Sequence, residues 1–308
     1  MLNRHSQVAI PLESLFIVDY LRASQNIDRR RLFAMLVREY ELEEWGVDVR
    51  ASDLTEAGDA REAIEKLHDL YLAKVGKTIW GQKTPRFVRY GALLKRAWPH
   101  AKFVNVVRDP RAVVSSLIRS DVHRSNAFFA ALRWLKDVTA GFDLQDRFPD
   151  DVLLVRYEDL VRDPEPVLRK VCGHLGIAYE AGMAAPKGNE MREYGSWYSQ
   201  AHALLDKPPD PDRIDLWRTQ LSPRQLSLIE SICGEPMGRL GYDRTQPEAA
   251  INKSYVAALL ADRAVGFVSQ IVKAQRDRRG YLKSVARRKI AMLGVRGMIL
   301  ESRWSSKR

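Results

Sequence analysis

The stretch that most constrains the fold is Lys102 to Ser120, KFVNVVRDPRAVVSSLIRS. Lys102 to Val107 opens an apolar run rich in β-branched and aromatic residues, and helical spacing begins directly after Arg108-Asp109-Pro110-Arg111. That order predicts a buried strand, a tight turn and a helix start. Pro110 suits a first helical turn, where a missing N–H does no harm, and Asp109 before it can cap the exposed amides. Arg108 is therefore expected at the carboxyl edge of a strand, with Ser116 two helical turns beyond the turn. Ligands of open α/β sheets bind at that edge. A guanidinium there, with a hydroxyl and free helix amides nearby, makes a phosphate site. An ordinary strand-turn-helix with a solvated arginine fits these residues equally well.

The rest of the chain repeats the alternation. Val8 to Ile10, Thr78 to Gln82 and Val152 to Val155 read as further strands. Ser14 to Ala23, Asp28 to Glu44, Asp59 to Val75, Arg86 to Trp98, Ser125 to Phe148, Glu165 to Leu175, Ile214 to Arg218 and Pro223 to Gly241 read as helices, from apolar residues three and four apart. Gly182 to Pro211 is a long irregular segment, and loops of that length are commonly functional. Strands alternating with helices predict an α/β class with a parallel sheet covered by helices on both faces.

Charge divides the chain. Of the net +11, Ile251 to Arg308 holds 14 Lys and Arg against 3 Asp and Glu, so residues 1–250 are neutral. This sets a domain of residues 1–250 apart from a basic tail, 251–308. Tyr255 to Val272 and Tyr281 to Leu300 alternate apolar and basic residues at helical spacing, and Arg276-Asp277-Arg278-Arg279 and Arg287-Arg288-Lys289 cluster the charge. Basic amphipathic helices suit an anionic membrane surface; a solvated helix, or one packed on a partner, accounts for the pattern as well. The tail is expected to be dispensable for folding of the nucleotide site. Nucleic acid is a poor partner, because aromatics that would stack on bases are sparse there. Cys172 and Cys233 are too few for a disulfide framework or metal cluster and lie in apolar-periodic stretches, so buried reduced thiols and a cytoplasmic setting, with peripheral membrane contact through the tail, are expected.

Four stretches, in order, resemble PAPS-dependent sulfotransferases, where PAPS is 3′-phosphoadenosine 5′-phosphosulfate. Arg108 with Ser116 eight residues later resembles the 3′-phosphate signature. His5 to Ser14 (HSQVAIPLES) resembles the segment after the first helix of bacterial and tyrosylprotein sulfotransferases. Gly81-Gln82-Lys83-Thr84-Pro85 is similar to their G-E-K-[ST]-P turn, with Gln82 in place of the acid, and Val155 to Pro164 (VRYEDLVRDP) to the strand and helix behind the adenine. The resemblance implies a P-loop nucleotide-kinase-like sulfotransferase fold, PAPS as sulfate donor, no metal, and a small-molecule, lipid or carbohydrate hydroxyl as acceptor. It implies Glu13 as general base, Lys83 near the bridging oxygen of the leaving group, and Arg108, Ser116, Tyr157 and Arg218 as nucleotide ligands. Trp217 beside Arg218 would lie over the nucleotide or serve as an aromatic helix anchor, Arg111 and Arg119 would assist or stand as ordinary exposed helix arginines, and His202 would lie near the acceptor or be a lone loop histidine.

One departure bears on activity. In the family a strand and a PRSGTTL-like loop precede the helix that ends in a sequence like Met1-Leu2-Asn3-Arg4-His5. The first strand and the 5′-phosphosulfate loop are therefore expected to be missing, leaving the strands before Lys83 and Arg108 either apart or drawn together. A catalytically impaired or truncated sulfotransferase-like binding protein is the competing reading to an active enzyme.

Overall fold

The computed structural model describes residues 1–24, 27–120, 125–185, 208–247, 253–261 and 280–291. His202 and the Arg276 to Arg279 cluster lie outside the described residues. Those described fall into two compact units, one of residues 1–100 with 280–291, the other of 101–185 with 208–247 and 253–261. The segment expected as a tail thus contributes one helix to each.

In the first unit β1 (Val8–Ala9) pairs in parallel with β2 (Ile79–Trp80), in the register Val8 to Ile79 and Ala9 to Trp80. Between them run α1 (Phe16–Ala23), α2 (Arg29–Leu36), α3 (Tyr40–Trp45) and α4 (Ala60–Val75). α4 shows how sequence sets the fold. Asp59 accepts Glu62 N–H at 2.9 Å as its cap, Gly76 ends it at φ 68°, and Ala63, Ile64, Leu67, His68 and Tyr71 form its buried stripe. Trp45 fills the space between Phe16, His68 and Tyr71, with ring centroids 5.1 to 6.0 Å away.

The expected single helix over Asp28 to Glu44 is two. Glu39 is extended, with φ −71° and ψ 130°. Its carboxylate is buried and accepts from Tyr20 Oη at 2.6 Å and from Arg288 Nη1 at 2.7 Å, so tertiary bonding overrides helix periodicity there. A second break divides Arg86 to Trp98 into a 3₁₀ turn, Pro85–Tyr90, and α5 (Gly91–Ala97).

In the second unit β3 (Phe103–Val107) pairs in parallel with β4 (Val152–Arg156), from Phe103 opposite Val152 to Val107 opposite Arg156. α6 (Pro110–Arg119) and α7 (Ala127–Arg147) follow β3; α8 (Tyr157–Arg162) and α9 (Pro164–Leu175) follow β4. Next come α10 (Trp217–Gln220) and α11 (Pro223–Arg239), the latter with a Ser222–Gln225 capping box. The core joins Val107, Val114, Trp134, Phe142, Ile229 and Met237. Gly141 lets α7 lie directly against β3, because a Cβ there would strike the Asn105 amide. Residues 253–261 are helical and seat Tyr255, Val256 and Leu259 on this core.

Strand order within each pair is parallel, as the alternation predicted, and among the described residues the strands form two separate pairs. Cys172 and Cys233 are free and buried. Burial, with Asp109 adding to it, pushes the Cys233 thiol up to about 12, which keeps it protonated and unreactive. No helix among the described residues is long and apolar enough to cross a membrane.

Candidate active site

β1 and β2 end side by side, and each runs into a loop that carries one of the expected catalytic residues. The ladder continues one step as Gly81 N–H donates to Ala9 O at 2.9 Å. Beyond it, Ser14 N–H donates to Thr84 Oγ1 at 2.9 Å in a buried contact, and Trp45 Nε1 donates to Leu12 O at 3.1 Å. The first bond holds the loop after β1 against the turn after β2, and the second ties the same loop to α3. Lys83 Nζ consequently meets Glu13 Oε1 at 2.5 Å. Glu13 lies in the loop ahead of α1 and not in its first turn. The side chains of Lys83 and Glu13 are 57% and 35% exposed, open to a substrate.

Directly behind this turn is a residue that the sequence did not single out. His68 is fully buried on α4, stacks on Trp80 at 4.1 Å, and lies 2.8 Å from Gln82 Nε2 through its own Nε2. Burial lowers its pKa from 6.5 to about 4, against the opposing pull of the Ile64 carbonyl. A base depressed in the fold takes its proton first in the unfolded chain. The stability it gives is complete above pH 6.5 and is lost as pH falls toward 4. At about 1.4 kcal/mol per pH unit, that loss reaches about 3 kcal/mol. Denaturant midpoints at pH 7.5 and 4.5 should therefore differ by less in His68→Phe than in the parent; equal differences would mean that the folded ring accepts a proton.

In the second unit Arg108 follows β3, with its guanidinium 4.2 Å from the centre of the Tyr157 ring. Its Nη2 donates to Arg213 O at 3.0 Å, its carbonyl accepts from Trp134 Nε1 at 2.8 Å, and its buried Nε has no partner among the described residues. The turn behind it forms as the sequence predicted, Asp109 accepting Arg111 N–H at 2.8 Å. Asp109 N–H in turn donates to Glu158 Oε1 at 3.0 Å, which ties the ends of β3 and β4 together.

Arg108 and Tyr157 are thus brought together. Ser116 is exposed on α6 and makes no contact with Arg108 that the structure shows; its neighbour Ser115 donates to Gln220 Oε1 at 2.6 Å. Arg218 stacks 4.4 Å from the Trp217 ring and donates to Asp215 at 2.9 Å. It lines a cavity of about 230 Å³ with Arg156, Arg162, Trp217 and Tyr242, and Arg108, Ser116 and Tyr157 do not. Arg111 does not assist from the surface. It is buried, bonded to Asp109 at 2.7 Å and Glu230 at 2.9 Å, and ties α6 to α11. Burial alone would raise the Glu230 carboxyl, but bonds from Gln246, Thr245 and Arg111 hold it below its ordinary value. Arg156 was missed, although it ends β4 as Arg108 follows β3 and the same edge argument would have found it.

The model of the sulfotransferase family matches residues 1–181. Mouse (Mus musculus) carbohydrate sulfotransferase 2 is 27% identical over 196 residues, 49% of this chain and 37% of that protein. The omega-hydroxy-beta-dihydromenaquinone-9 sulfotransferase of Mycobacterium tuberculosis (strain CDC 1551 / Oshkosh) is 27% identical over 173 residues, 51% of this chain and 40% of that one. Zebrafish (Danio rerio) protein-tyrosine sulfotransferase 1 is 24% identical over 204 residues, 62% and 57%. The chain therefore spans between 37% and 57% of the length of these curated relatives. Among solved structures, the sulfotransferase domain from the curacin biosynthetic pathway superposes with a TM-score of 0.56 at 18% identity, over 80% of this chain and 92% of that one, which shows a shared fold.

Proposed function

Because the chain belongs to the sulfotransferase family, we propose that it moves a sulfuryl group from PAPS to a hydroxyl acceptor. The observation that carries this is the Lys83–Glu13 contact at 2.5 Å, a carboxylate and an ammonium held together at the ends of two paired strands and open to substrate. Glu13 takes the proton of the acceptor hydroxyl. The acceptor oxygen bonds to sulfur as the sulfur–oxygen bond to the 5′-phosphate breaks, and Lys83 offsets the charge that develops on the departing oxygen. The products are a sulfate ester and adenosine 3′,5′-bisphosphate, with the proton on Glu13.

Arg108 fits the nucleotide end. Its unpartnered Nε is a donor in want of an acceptor, and a guanidinium pairs well with phosphate. Tyr157, beneath that guanidinium, is the aromatic surface for adenine. Ser116, on the exposed face of α6, and Arg218, in the adjoining cavity, are assigned secondary contacts to the nucleotide. The named relatives act on carbohydrate, on a menaquinone hydroxyl and on protein tyrosine. A hydroxyl of a small molecule, lipid or carbohydrate is the acceptor proposed here.

Calorimetry with adenosine 3′,5′-bisphosphate tests the nucleotide half. Arg108→Ala should weaken binding by about 2 kcal/mol, roughly thirtyfold, as expected for loss of a charge-assisted contact. Unchanged affinity would remove Arg108 from the site. Nucleotide binding without sulfate transfer to any hydroxyl would favour the binding-protein reading.

A further inference from the structure

Lys83 sits in a turn pinned on both sides. Thr84 is held by Ser14, as described, and Gln82 by His68. The ring chemistry decides what residue 82 must be. His68 Nδ1 lies 2.7 Å from Ile64 O, and a carbonyl only accepts, so Nδ1 carries the proton. The ring is fully buried, with Trp80 stacked on it and Trp45 5.1 Å away, so it is closed to bulk solvent. Nε2 is left with a lone pair, and the Gln82 amide N–H fills it at 2.8 Å. Gln82 Oε1 is buried without a partner among the described residues, so the His68 contact is what orients the amide.

We propose that His68 and Gln82 are an uncharged positioning pair that sets Lys83 against Glu13. Residue 82 is an amide because a buried imidazole protonated at Nδ1 needs a neutral donor opposite Nε2. A carboxylate, as in the family pattern, would meet the Nε2 lone pair unless the pair took up a further proton, and either outcome replaces the neutral contact, with a buried unsatisfied group or with buried charge. This rests on the reading of Lys83 as the group that assists departure of the phosphate.

The test uses the 308-residue chain. Imidazole ¹⁵N spectra at pH 7 should show His68 neutral and protonated at Nδ1; protonation at Nε2, or a charged ring, overturns the proposal. Gln82→Glu and Gln82→Met should both speed acylation of Lys83 severalfold, read by mass spectrometry, because the lysine is released from Glu13. Unchanged acylation in both variants, each with the parent's far-ultraviolet circular dichroism, also overturns it. In sulfate transfer, Gln82→Glu should lower kcat about tenfold or more with KM for the donor nearly unchanged, since small misplacement of a reacting group costs one to two orders of magnitude. Equal falls in kcat and in donor affinity would overturn positioning in favour of a general loss of structure. A parent chain with no turnover would count against sulfuryl transfer alone, because tautomer and acylation are read without it.

Discussion

Glu13→Gln is expected to lower turnover by about two to four orders of magnitude, or roughly 3 to 5 kcal/mol of activation free energy, with little change in nucleotide affinity. Glutamine keeps the shape of the side chain and an oxygen for Lys83, but it cannot take a proton at neutral pH. The case for chemistry over structure comes from exposure. With both partners more than a third exposed, a surface ion pair contributes about 1 kcal/mol or less to stability. Yet the surrounding bonds, Ser14 to Thr84 and Gln82 to His68, fix its geometry from two directions. Initial-rate kinetics with PAPS and an accepted hydroxyl substrate should show the loss in kcat and not in KM for the donor. Turnover near the parent value would reduce Glu13 to a loop-closing ion pair.

What the sequence disclosed followed from local physics. Lys102 to Val107 with Asp109 and Pro110 could form little else than a strand, cap and helix, and the structure has β3, the Asp109 cap and α6 there. Glu13 and Lys83, 70 residues apart, were paired in expectation only through resemblance, and the structure puts them in contact. His68 was legible in part, since the helical period places it on one face with Ile64, Leu67 and Tyr71; its partner Gln82 was noted only as a departure. The misses have a common cause. The break at Glu39, the burial of Arg111 and the docking of residues 281–291 each depend on a charged group whose partner is remote: Arg111 meets Glu230 119 residues away, and Arg288 meets Asp19 across 269. Periodicity reads such residues as solvent-facing, because it carries no information about a partner on another element.

That last contact changes what loss of the C-terminal segment should do. Arg288 is 3% exposed, and it donates from Nε to Asp19 at 2.8 Å and from Nη1 to Glu39 at 2.7 Å, with Glu41 at 3.8 Å. Burial opposes its charge, but the three carboxylates more than offset this and raise its pKa. Ser284 Oγ also donates to Glu39, and Lys289, 51% exposed, closes on Asp19 at 2.8 Å. Arg288 and Lys289 are therefore turned inward, and a contribution to an anionic surface falls to exposed neighbours such as Lys283 and Arg287. Arg288→Ala removes the buried cation that faces Asp19, Glu39 and Glu41. Breaking a buried pair in this way costs about 3 to 5 kcal/mol, whereas replacing the whole set by neutral groups costs far less. Urea unfolding should accordingly show a large drop in midpoint for Arg288→Ala and substantial recovery when Asp19→Asn, Glu39→Gln and Glu41→Gln are added to Arg288→Met. Because α1 carries Asp19 and begins three residues after Glu13, the single variant should lose turnover as well. Deleting residues 251–308 removes this helix from the first unit, and from the second it removes residues 253–261, where Leu259 O accepts from Asn126 Nδ2 at 2.7 Å. The expected result is a destabilised protein, contrary to a dispensable tail. An unfolding free energy for Arg288→Ala within about 1 kcal/mol of the parent, the scale of a surface pair, would show that the helix does not dock in solution.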